Sequence, residues 1–232
     1  MSFNVAIDGP SGAGKSSLSK EVAKKLGFVY IDTGAIYRTV GLYVYRNNVN
    51  PDDTLKVEAL LSDIDVSIEY QDGVQHVILN GEDVSDEIRI HVISDYASKV
   101  SAIPAVREFL LNKQRELASK SNAIMDGRDI GTVVLPNADL KIYLTASAET
   151  RAKRRCLELE EKNQKVSYEQ VLKDIIERDK RDMERPIAPL KVAEGAVVVD
   201  TSEINFEQSL QKLIEIISEH LKWNSILLQK NL

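Results

Sequence analysis

One short segment near the amino terminus constrains the fold of this chain more than any other feature. Residues 9–16 read GPSGAGKS and complete the spacing GxxxxGK followed by Ser or Thr. The apolar run at residues 3–8 is typical of a buried parallel strand, and apolar residues recur at helical spacing over residues 16–26, before Gly27. A strand, a glycine-rich loop and a helix in this order predict an α/β fold built on a parallel sheet.

The residue types of this segment suit the binding of phosphate groups. The glycines allow successive backbone N–H groups to turn towards one anion, at the positive end of the helix that follows. Lys15 can reach the β- and γ-phosphates of a nucleotide, and the Ser16 hydroxyl can bind a Mg²⁺ ion that bridges them. We therefore expect ATP to bind at consecutive residues of this segment: Gly9, Pro10, Ser11, Gly12, Ala13, Gly14, Lys15, Ser16 and Ser17.

The rest of the chain predicts a five-stranded parallel sheet with helices between the strands. Apolar runs predict four further strands, at residues 28–31, 123–126, 140–144 and 196–200. Residues 66–70 alternate polar and apolar side chains, residues 71–73 form a predicted turn, and residues 76–79 run apolar into Asn80. We therefore expect a small antiparallel β insertion in an otherwise α/β chain.

Helical spacing accounts for most of the remaining segments. The predicted helices cover residues 35–46, 85–119, 149–162, 168–185 and 205–221. Pro104 suits the start of a helix inside the second of these, and Ser167 and Gln170 form a capping box at the start of the fourth. The polar residues 163–165 are expected to form a mobile tip, and residues 222–232 have no predicted place.

Composition and charge narrow the possible functions. A chain of 232 residues accommodates one catalytic unit, and its hydrophobic and charged fractions, 43% and 28%, are those of a globular protein. The net charge of −6 argues against a surface that coats nucleic acid. Cys156 is the only cysteine, and no long apolar run or amino-terminal leader is present. We expect a cytoplasmic monomer whose partners include no nucleic acid polymer and no membrane.

The phosphate-binding segment alone leaves open a kinase, a GTPase switch or a motor. A GTPase is expected to carry an Asn-Lys-x-Asp element, whereas the only Asn-Lys pair, at Asn112, continues as Gln-Arg. The chain is instead rich in arginine, whose planar fork binds phosphate oxygens bidentately. One face of a predicted helix would carry three arginines: Arg151, Arg154 and Arg155. These side chains either clamp phosphates or pair with nearby glutamates such as Glu158.

Several short motifs, in order along the chain, are more specific than the phosphate-binding segment. The longest read DTGAIYR at residues 32–38 and DGRDIGTVV at residues 126–134. Further segments of this kind lie at residues 96–100, 106–108, 177–182 and 188–190. Together these motifs resemble the bacterial cytidylate kinases, a family of nucleoside monophosphate kinases, and the resemblance covers residues 4–221.

The resemblance implies a P-loop NTPase-type three-layer fold. Its parts are a five-stranded parallel sheet, a small antiparallel β insertion in the region that binds the nucleoside monophosphate, and a helical lid. The single kinase domain would consist of a core at residues 1–62, 120–150 and 186–221, a monophosphate-binding region at residues 63–119 and a lid at residues 151–185. The implied reaction moves the γ-phosphate of ATP to CMP or dCMP, giving ADP and CDP or dCDP, with Mg²⁺ required.

The resemblance also implies roles for individual residues. CMP is expected at Thr33, Arg38, Ser98, Arg107, Arg128, Asp129, Arg178, Asp182 and Arg185. Within this set, Arg38 and Arg128 would hold the acceptor phosphate beside Thr33, a position where the family often has serine. Ser98, Arg107 and Asp129 would read the cytosine. Arg178 and Asp182 would contact the ribose, and Arg185 would lie on the phosphate side of the site. The catalytic residues would be Lys15, Arg128, Arg155 and Arg181, and the lid arginines Arg151, Arg154 and Arg155. Mg²⁺ is expected to bind the Ser16 hydroxyl together with ATP, and to interact with Asp126 indirectly.

Elementary chemistry supports cytosine as the acceptor base. Cytosine presents an amino donor beside two acceptors, so that Asp129 and Arg107 form a complementary pair. Uracil inverts this pattern. Each mispaired buried polar group costs about 1–3 kcal/mol, so two mismatches discriminate against uracil by about 10- to 10⁴-fold.

Alternatives stay open at two points. The Asp126 carboxylate either faces the Mg²⁺ ion, as a Walker B aspartate does, or caps the backbone of Gly127 and Arg128. The protein itself is a cytidylate kinase, a small-molecule kinase acting on another acceptor such as UMP or shikimate, or a protein whose P-loop only senses ATP.

Overall fold

The computed structural model describes residues 2–71, 74–161 and 166–230, and within these ranges it contains eight strands and eight α-helices. The strands are β1 (Asn4–Asp8), β2 (Val29–Asp32), β3 (Val66–Gln71), β4 (Val74–Leu79), β5 (Glu82–Asp83), β6 (Ala123–Gly127), β7 (Leu140–Thr145) and β8 (Val197–Asp200). The helices are α1 (Lys15–Leu26), α2 (Thr33–Arg46), α3 (Thr54–Leu60), α4 (His91–Val100), α5 (Pro104–Ser119), α6 (Ala148–Glu161), α7 (Tyr168–Glu184) and α8 (Phe206–Lys230). A π-helical turn at Ile130–Val134 follows β6.

Five parallel strands form the main sheet, in the order β2-β6-β1-β7-β8, which confirms the predicted architecture. The central strand β1 places Ile7 opposite Asp126 of β6 and Ile142 of β7. Val5 and Ile7 are fully buried because helices cover both faces of the sheet. The carboxyl ends of β1, β2 and β6 therefore meet at one edge of the sheet, where the loops that follow them form a crevice.

The predicted β insertion is present as a second sheet. Strand β4 lies between β3 and β5, and both pairs are antiparallel. The sequence does not predict β5, because two residues are too few to show an alternating pattern. Asp72 and Gly73 of the predicted turn lie outside the described residues.

The helices agree with their predicted positions, with three differences. The predicted helical segment 85–119 contains two α-helices, α4 and α5, with residues 101–103 between them. The sequence does not predict α3, whose one clear signal is Asp53, an N-cap that accepts the Lys56 N–H at 3.3 Å. Helix α8 continues through residues 222–230, for which the sequence predicts no place. The predicted N-cap at Ser167 is confirmed, because its hydroxyl oxygen accepts the Gln170 N–H at 3.3 Å. The full capping box is not formed, because the Gln170 side chain donates to Asp174 instead of turning back to Ser167. Residues 162–165, including the predicted tip, lie outside the described residues.

Besides the hydrophobic cluster between α5 and strands β1, β2 and β6, the described residues form three more. One packs α1 and α8 against β1 and β7. A second joins α2, α3, the small sheet, α4 and α5, and it is tight enough that a Cβ atom at Gly41 of α2 would lie 2.9 Å from the Ala97 nitrogen of α4. A third is formed by α6 and α7. In the part of the chain that the structure describes, no helix has both the length and the apolar character needed to cross a bilayer.

Candidate active site

The glycine-rich loop at residues 9–16 joins β1 to α1 at the crevice, as predicted. Its path requires glycine, as Gly9 and Gly14 show. A Cβ atom at Gly9 would lie 1.9 Å from the carbonyl oxygen of Leu144, and Gly14 adopts a left-handed conformation with φ of 85°. A glycine-rich loop at the amino end of a helix is the arrangement that binds phosphate through backbone N–H groups.

Lys15 is buried at the base of this loop. Its ammonium donates to the Pro10 carbonyl oxygen at 2.8 Å. Burial, followed by the repulsion of the nearby Arg128 guanidinium, lowers the pKa of Lys15 well below its ordinary value. Two buried cations at one place are unfavourable without an anion between them, so this environment suits a phosphate chain.

Asp126 is the second-last residue of β6, and both of its carboxylate oxygens accept hydrogen bonds from hydroxyl groups. The Ser16 hydroxyl donates to one oxygen at 2.9 Å, and the Tyr30 hydroxyl donates to the other at 2.9 Å. Burial, followed by repulsion from Asp32, raises the pKa of Asp126 to about 6. A hydroxyl and a carboxylate at this distance are the hard oxygen ligands that Mg²⁺ prefers. The geometry therefore fits the Walker B alternative better than a cap on Gly127.

A group of arginines with too few counter-charges lies across the crevice. The Arg128 Nε donates to Asp182 at 2.8 Å. Arg178 has a buried Nε without a hydrogen-bond partner among the described residues, and Arg38 forms no ion pair with them. Burial, followed by repulsion from Arg128, lowers the pKa of Arg178 to about 10. Of these three guanidinium groups, only that of Arg128 has an ion-pair partner among the described residues, so the cluster is suited to binding an anion.

A second, compensated network lies next to this cluster. Asp129 forms a close hydrogen-bonded ion pair with Arg107, and its other oxygen accepts from Arg185 at 3.1 Å. The Arg107 guanidinium also lies over the Tyr37 ring, 5.7 Å from its centroid. Burial raises the pKa of Asp129, although both arginines oppose that effect. Arg185, which the resemblance places at a phosphate, is here a partner of the proposed base-reading carboxylate.

Arg151 is neither a solvated residue nor a free cation. Only 4% of it is exposed, and its guanidinium forms an ion pair with Asp179 at 2.6 Å. The same group donates to the carbonyl oxygens of Ser11 and Ala146, each at 2.9 Å. Arg151 thus ties α6 and α7 to the phosphate-binding loop.

The two following lid arginines differ from Arg151 and from each other. Arg154 donates to the Thr201 carbonyl oxygen at 2.7 Å and to that of Ile204 at 3.3 Å, so it anchors the loop before α8. Arg155 is more exposed and forms an ion pair with Glu158 at 2.9 Å. The sequence offered this pairing as the alternative to a phosphate clamp. Helical spacing places the three side chains close together, but tertiary neighbours determine what each one binds.

Arg181 lies apart from the other predicted catalytic residues. Half exposed, it forms an ion pair with Asp95 of α4 at 3.3 Å, and it is not among the residues that line the central cavity. The pair connects α7 with α4 outside the lining of the cavity.

The crevice contains a cavity of about 1200 Å³ that brings most of the predicted site together. The predicted residues that line it are Ser11, Gly12, Gly14, Lys15, Ser16, Ser17, Thr33, Arg38, Ser98, Arg107, Asp126, Arg128, Asp129, Arg151, Arg154, Arg155, Arg178, Asp182 and Arg185. Those that do not line it are Gly9, Pro10, Ala13 and Arg181. The glycine-rich loop, the arginine cluster and the network around Asp129 therefore face one space.

Several charged residues were not predicted as site residues: Asp32, Glu161 and Asp174 line the cavity, and Asp8 lies outside its lining. Asp8 is buried, and its carboxylate accepts the Ile130 and Gly131 N–H groups at 2.7 and 2.8 Å. It thereby joins the strand before the loop to the turn that follows Asp129. Its signal in the sequence is an aspartate inside an otherwise apolar run.

This fold and this cavity define the class of P-loop phosphotransferases. The model of the cytidylate kinase family matches residues 5–219. A cytidylate kinase from Caldicellulosiruptor bescii is 53% identical over 95% of this chain and 97% of that protein. A cytidylate kinase from Caldanaerobacter subterraneus subsp. tengcongensis is 48% identical over 96% of this chain and 97% of its own. The chain belongs to the cytidylate kinase family, and the resemblance seen in the sequence is confirmed.

A solved structure supports the architecture alone. An uncharacterized protein from Eubacterium ventriosum ATCC 27560 is similar with a TM-score of 0.51 over 93% of this chain and 98% of that one. Only 12% of the residues are identical, so the similarity concerns the fold and names no substrate.

Proposed function

We propose that the enzyme transfers the γ-phosphate of ATP to CMP or dCMP, giving ADP and CDP or dCDP. One observation carries this proposal: a single cavity places the phosphate-binding loop beside the undercompensated cluster of Arg38, Arg128 and Arg178. Such a cavity suits two phosphate-bearing molecules held side by side. Membership of the cytidylate kinase family supports cytosine as the acceptor base.

The donor half of the site consists of residues 9–17. Their backbone N–H groups and the Lys15 ammonium bind the phosphates of ATP, which relieves the unfavourable burial of Lys15. The Ser16 hydroxyl and the Asp126 carboxylate would hold Mg²⁺ together with the phosphate oxygens. When bound, Mg²⁺ neutralises charge on the β- and γ-phosphates.

The acceptor half begins with the phosphate of CMP. Arg38 and Arg128 bind its oxygens, and Thr33 lies beside them with its hydroxyl donating to the Asp126 carbonyl oxygen at 2.7 Å. Arg178 and Asp182 contact the ribose. The bound phosphate supplies the negative charge that this cluster lacks.

The base is read by the network around Asp129. The cytosine amino group donates to the Asp129 carboxylate, and the Arg107 guanidinium donates to the acceptor edge of the base. Ser98 also lines the cavity. Uracil would direct a carbonyl oxygen at Asp129. Two such mismatches discriminate by about 10- to 10⁴-fold.

Transfer itself needs no protein nucleophile, because phosphoryl transfer depends on alignment and charge stabilisation. Lys15 and Arg128 flank the transferring group. The lid at residues 151–185 then closes and excludes water, so that ATP is not hydrolysed. Arg155 and Arg181, the two more exposed lid arginines, exchange their present carboxylate partners for phosphate oxygens on closure.

An acceptor panel tests the proposal. ADP release is measured with ATP and Mg²⁺ in the presence of CMP, dCMP, UMP, AMP or shikimate. CMP and dCMP should give the highest kcat/KM, with UMP at least about tenfold lower. Equal use of UMP, or ADP release that no acceptor stimulates, would contradict the assignment.

We also propose that the enzyme acts as a cytoplasmic monomer in pyrimidine nucleotide metabolism. Its single cysteine suits a reducing compartment, and its net charge of −6 disfavours binding to nucleic acid polymers. Sedimentation analysis at micromolar concentration checks the monomer, since a dimer would have twice the mass of 25.9 kDa.

A further inference from the structure

Strand β2 lies at the edge of the main sheet, so one side of its backbone has no neighbouring strand. On the inner side, the Val29 N–H donates to the Asn122 carbonyl oxygen at 2.9 Å. Peptide groups of successive residues point to opposite sides of a strand, so Tyr30 and Asp32 direct theirs to the open side. Such unpaired edge groups are usually covered in folded proteins.

The hairpin of β3 and β4 covers this edge with two side chains. Tyr70 and Gln75 are opposite each other in the hairpin register. The Tyr70 hydroxyl donates to the Tyr30 carbonyl oxygen at 3.0 Å, and the Asp32 N–H donates to the Gln75 amide oxygen at 2.9 Å. Burial raises the pKa of Tyr70 to about 12, so the hydroxyl keeps its proton at neutral pH. The β insertion therefore contacts the two outward-facing residues at the end of β2.

These two contacts lie immediately before the proposed acceptor site. Asp32 is the N-cap of α2, and its carboxylate accepts the Ala35 N–H at 2.9 Å. Thr33 is the first residue of α2, and Arg38 lies on the same helix. A displacement of Asp32 would therefore move the start of α2 and, with it, the guanidinium that faces the acceptor phosphate.

We propose that Tyr70 and Gln75 are positioning residues for the acceptor nucleotide. By holding the end of β2 they set the start of α2, and thus the direction of Arg38, although neither residue lines the cavity. The β insertion then contributes to the binding of CMP from outside the site. This inference rests on the proposed role of Arg38.

The double variant Tyr70→Phe, Gln75→Met removes both hydrogen bonds and keeps most of the side-chain volume. One neutral hydrogen bond is worth about fivefold in an equilibrium, so the KM for CMP should rise by about 5- to 30-fold. The KM for ATP should stay within twofold, because the phosphate-binding loop is untouched. Gln71→Met, which changes an exposed glutamine of the same hairpin in the same way, is the matched control and should change neither KM.

Amide hydrogen exchange at Asp32 measures the contact directly. Exchange should be about fivefold faster in the double variant and unchanged in Gln71→Met. If the Asp32 amide of the double variant exchanges faster but the KM for CMP is unchanged, the inference is overturned. Equal increases in the KM for CMP and the KM for ATP would also overturn it. Arg38→Ala separates the two proposals: if it raises the KM for CMP while the double variant does not, only the positioning role fails. If Arg38→Ala also has no effect, the proposed acceptor site itself is wrong.

Discussion

Replacing Asp129 with asparagine tests how the enzyme reads the acceptor base. Asp129 is 4% exposed, and its carboxylate accepts hydrogen bonds from Arg107 and Arg185. A buried carboxylate favours an amino donor such as that of cytosine and repels a carbonyl such as that of uracil. Asparagine keeps the shape of the side chain but replaces one acceptor oxygen with an NH₂ donor.

The substitution acts on the two bases in opposite directions. CMP loses a charge-assisted hydrogen bond, whereas UMP loses a repulsion and gains a donor, and each change is worth about 1–3 kcal/mol in a buried site. The lower limit for both changes together is about 2 kcal/mol. The ratio of kcat/KM for CMP to kcat/KM for UMP should therefore fall at least roughly thirtyfold.

Coupled ADP-release assays with CMP and UMP on the same sample measure this ratio. Loss of a buried charge beside Arg107 should destabilise the fold by about 3–5 kcal/mol, which lowers the fraction of folded enzyme. The ratio is unaffected by this loss, because the folded fraction enters both kcat/KM values equally. Asp95→Asn, which removes the charge of an exposed carboxylate on α4, is the matched control and should leave the ratio unchanged. A ratio within threefold of the wild-type value in Asp129→Asn would refute this account of base recognition.

Three further predictions follow from the charges of the site. Lys15→Ala and Arg128→Ala should each lower kcat by at least about a hundredfold with the fold intact by circular dichroism, because each removes a charge facing phosphate; near-normal turnover would contradict these roles. Arg151→Ala should destabilise the fold by about 3 kcal/mol in urea unfolding, since it leaves Asp179, whose side chain is 15% exposed, without its ion-pair partner. Arg155→Ala should instead lower kcat at unchanged stability, and the reverse result would contradict this difference between the two arginines. Burial raises the pKa of Asp8 from 3.8 to about 6, so between pH 4.5 and 6.5 the folded state keeps a proton that the unfolded chain has released, and stability falls as pH rises. Asp8→Asn should reduce this loss of unfolding free energy between pH 4.5 and 6.5 by about 2 kcal/mol, as measured by urea titrations at the two pH values. An unchanged pH dependence of stability would argue against the burial of Asp8 as its cause.

Local patterns were sufficient for the parts of the fold that depend on neighbours in sequence. The glycine spacing at residues 9–16 predicted the loop, and Gly27 predicted the end of α1, where it adopts a φ of 68°. Ser167 likewise predicted the start of α7 through a hydrogen bond that spans three residues. Short elements such as β5 escaped prediction because two residues carry no measurable periodicity.

The contacts of charged side chains depend on residues far apart in the chain. Arg151 and Asp179 are 28 positions apart, and Asp8 accepts the Ile130 N–H from 122 positions away. Spacing along a helix brought the lid arginines together, but it could not distinguish the buried Arg151 from the exposed Arg155. That difference arises only when α6 packs against α7 and the phosphate-binding loop.

The sequence by itself determined a phosphate-binding loop on a parallel α/β sheet and, through its motifs, the cytidylate kinase family. Only the tertiary structure decided which arginines have carboxylate partners and which, like Arg38 and Arg178, face the cavity without one among the described residues. It also decided that Tyr70 and Gln75 cover the open edge of β2. The physical reason is that burial and charge compensation are properties of the packed neighbourhood, whereas backbone conformation at a loop or a cap is a property of the local residues.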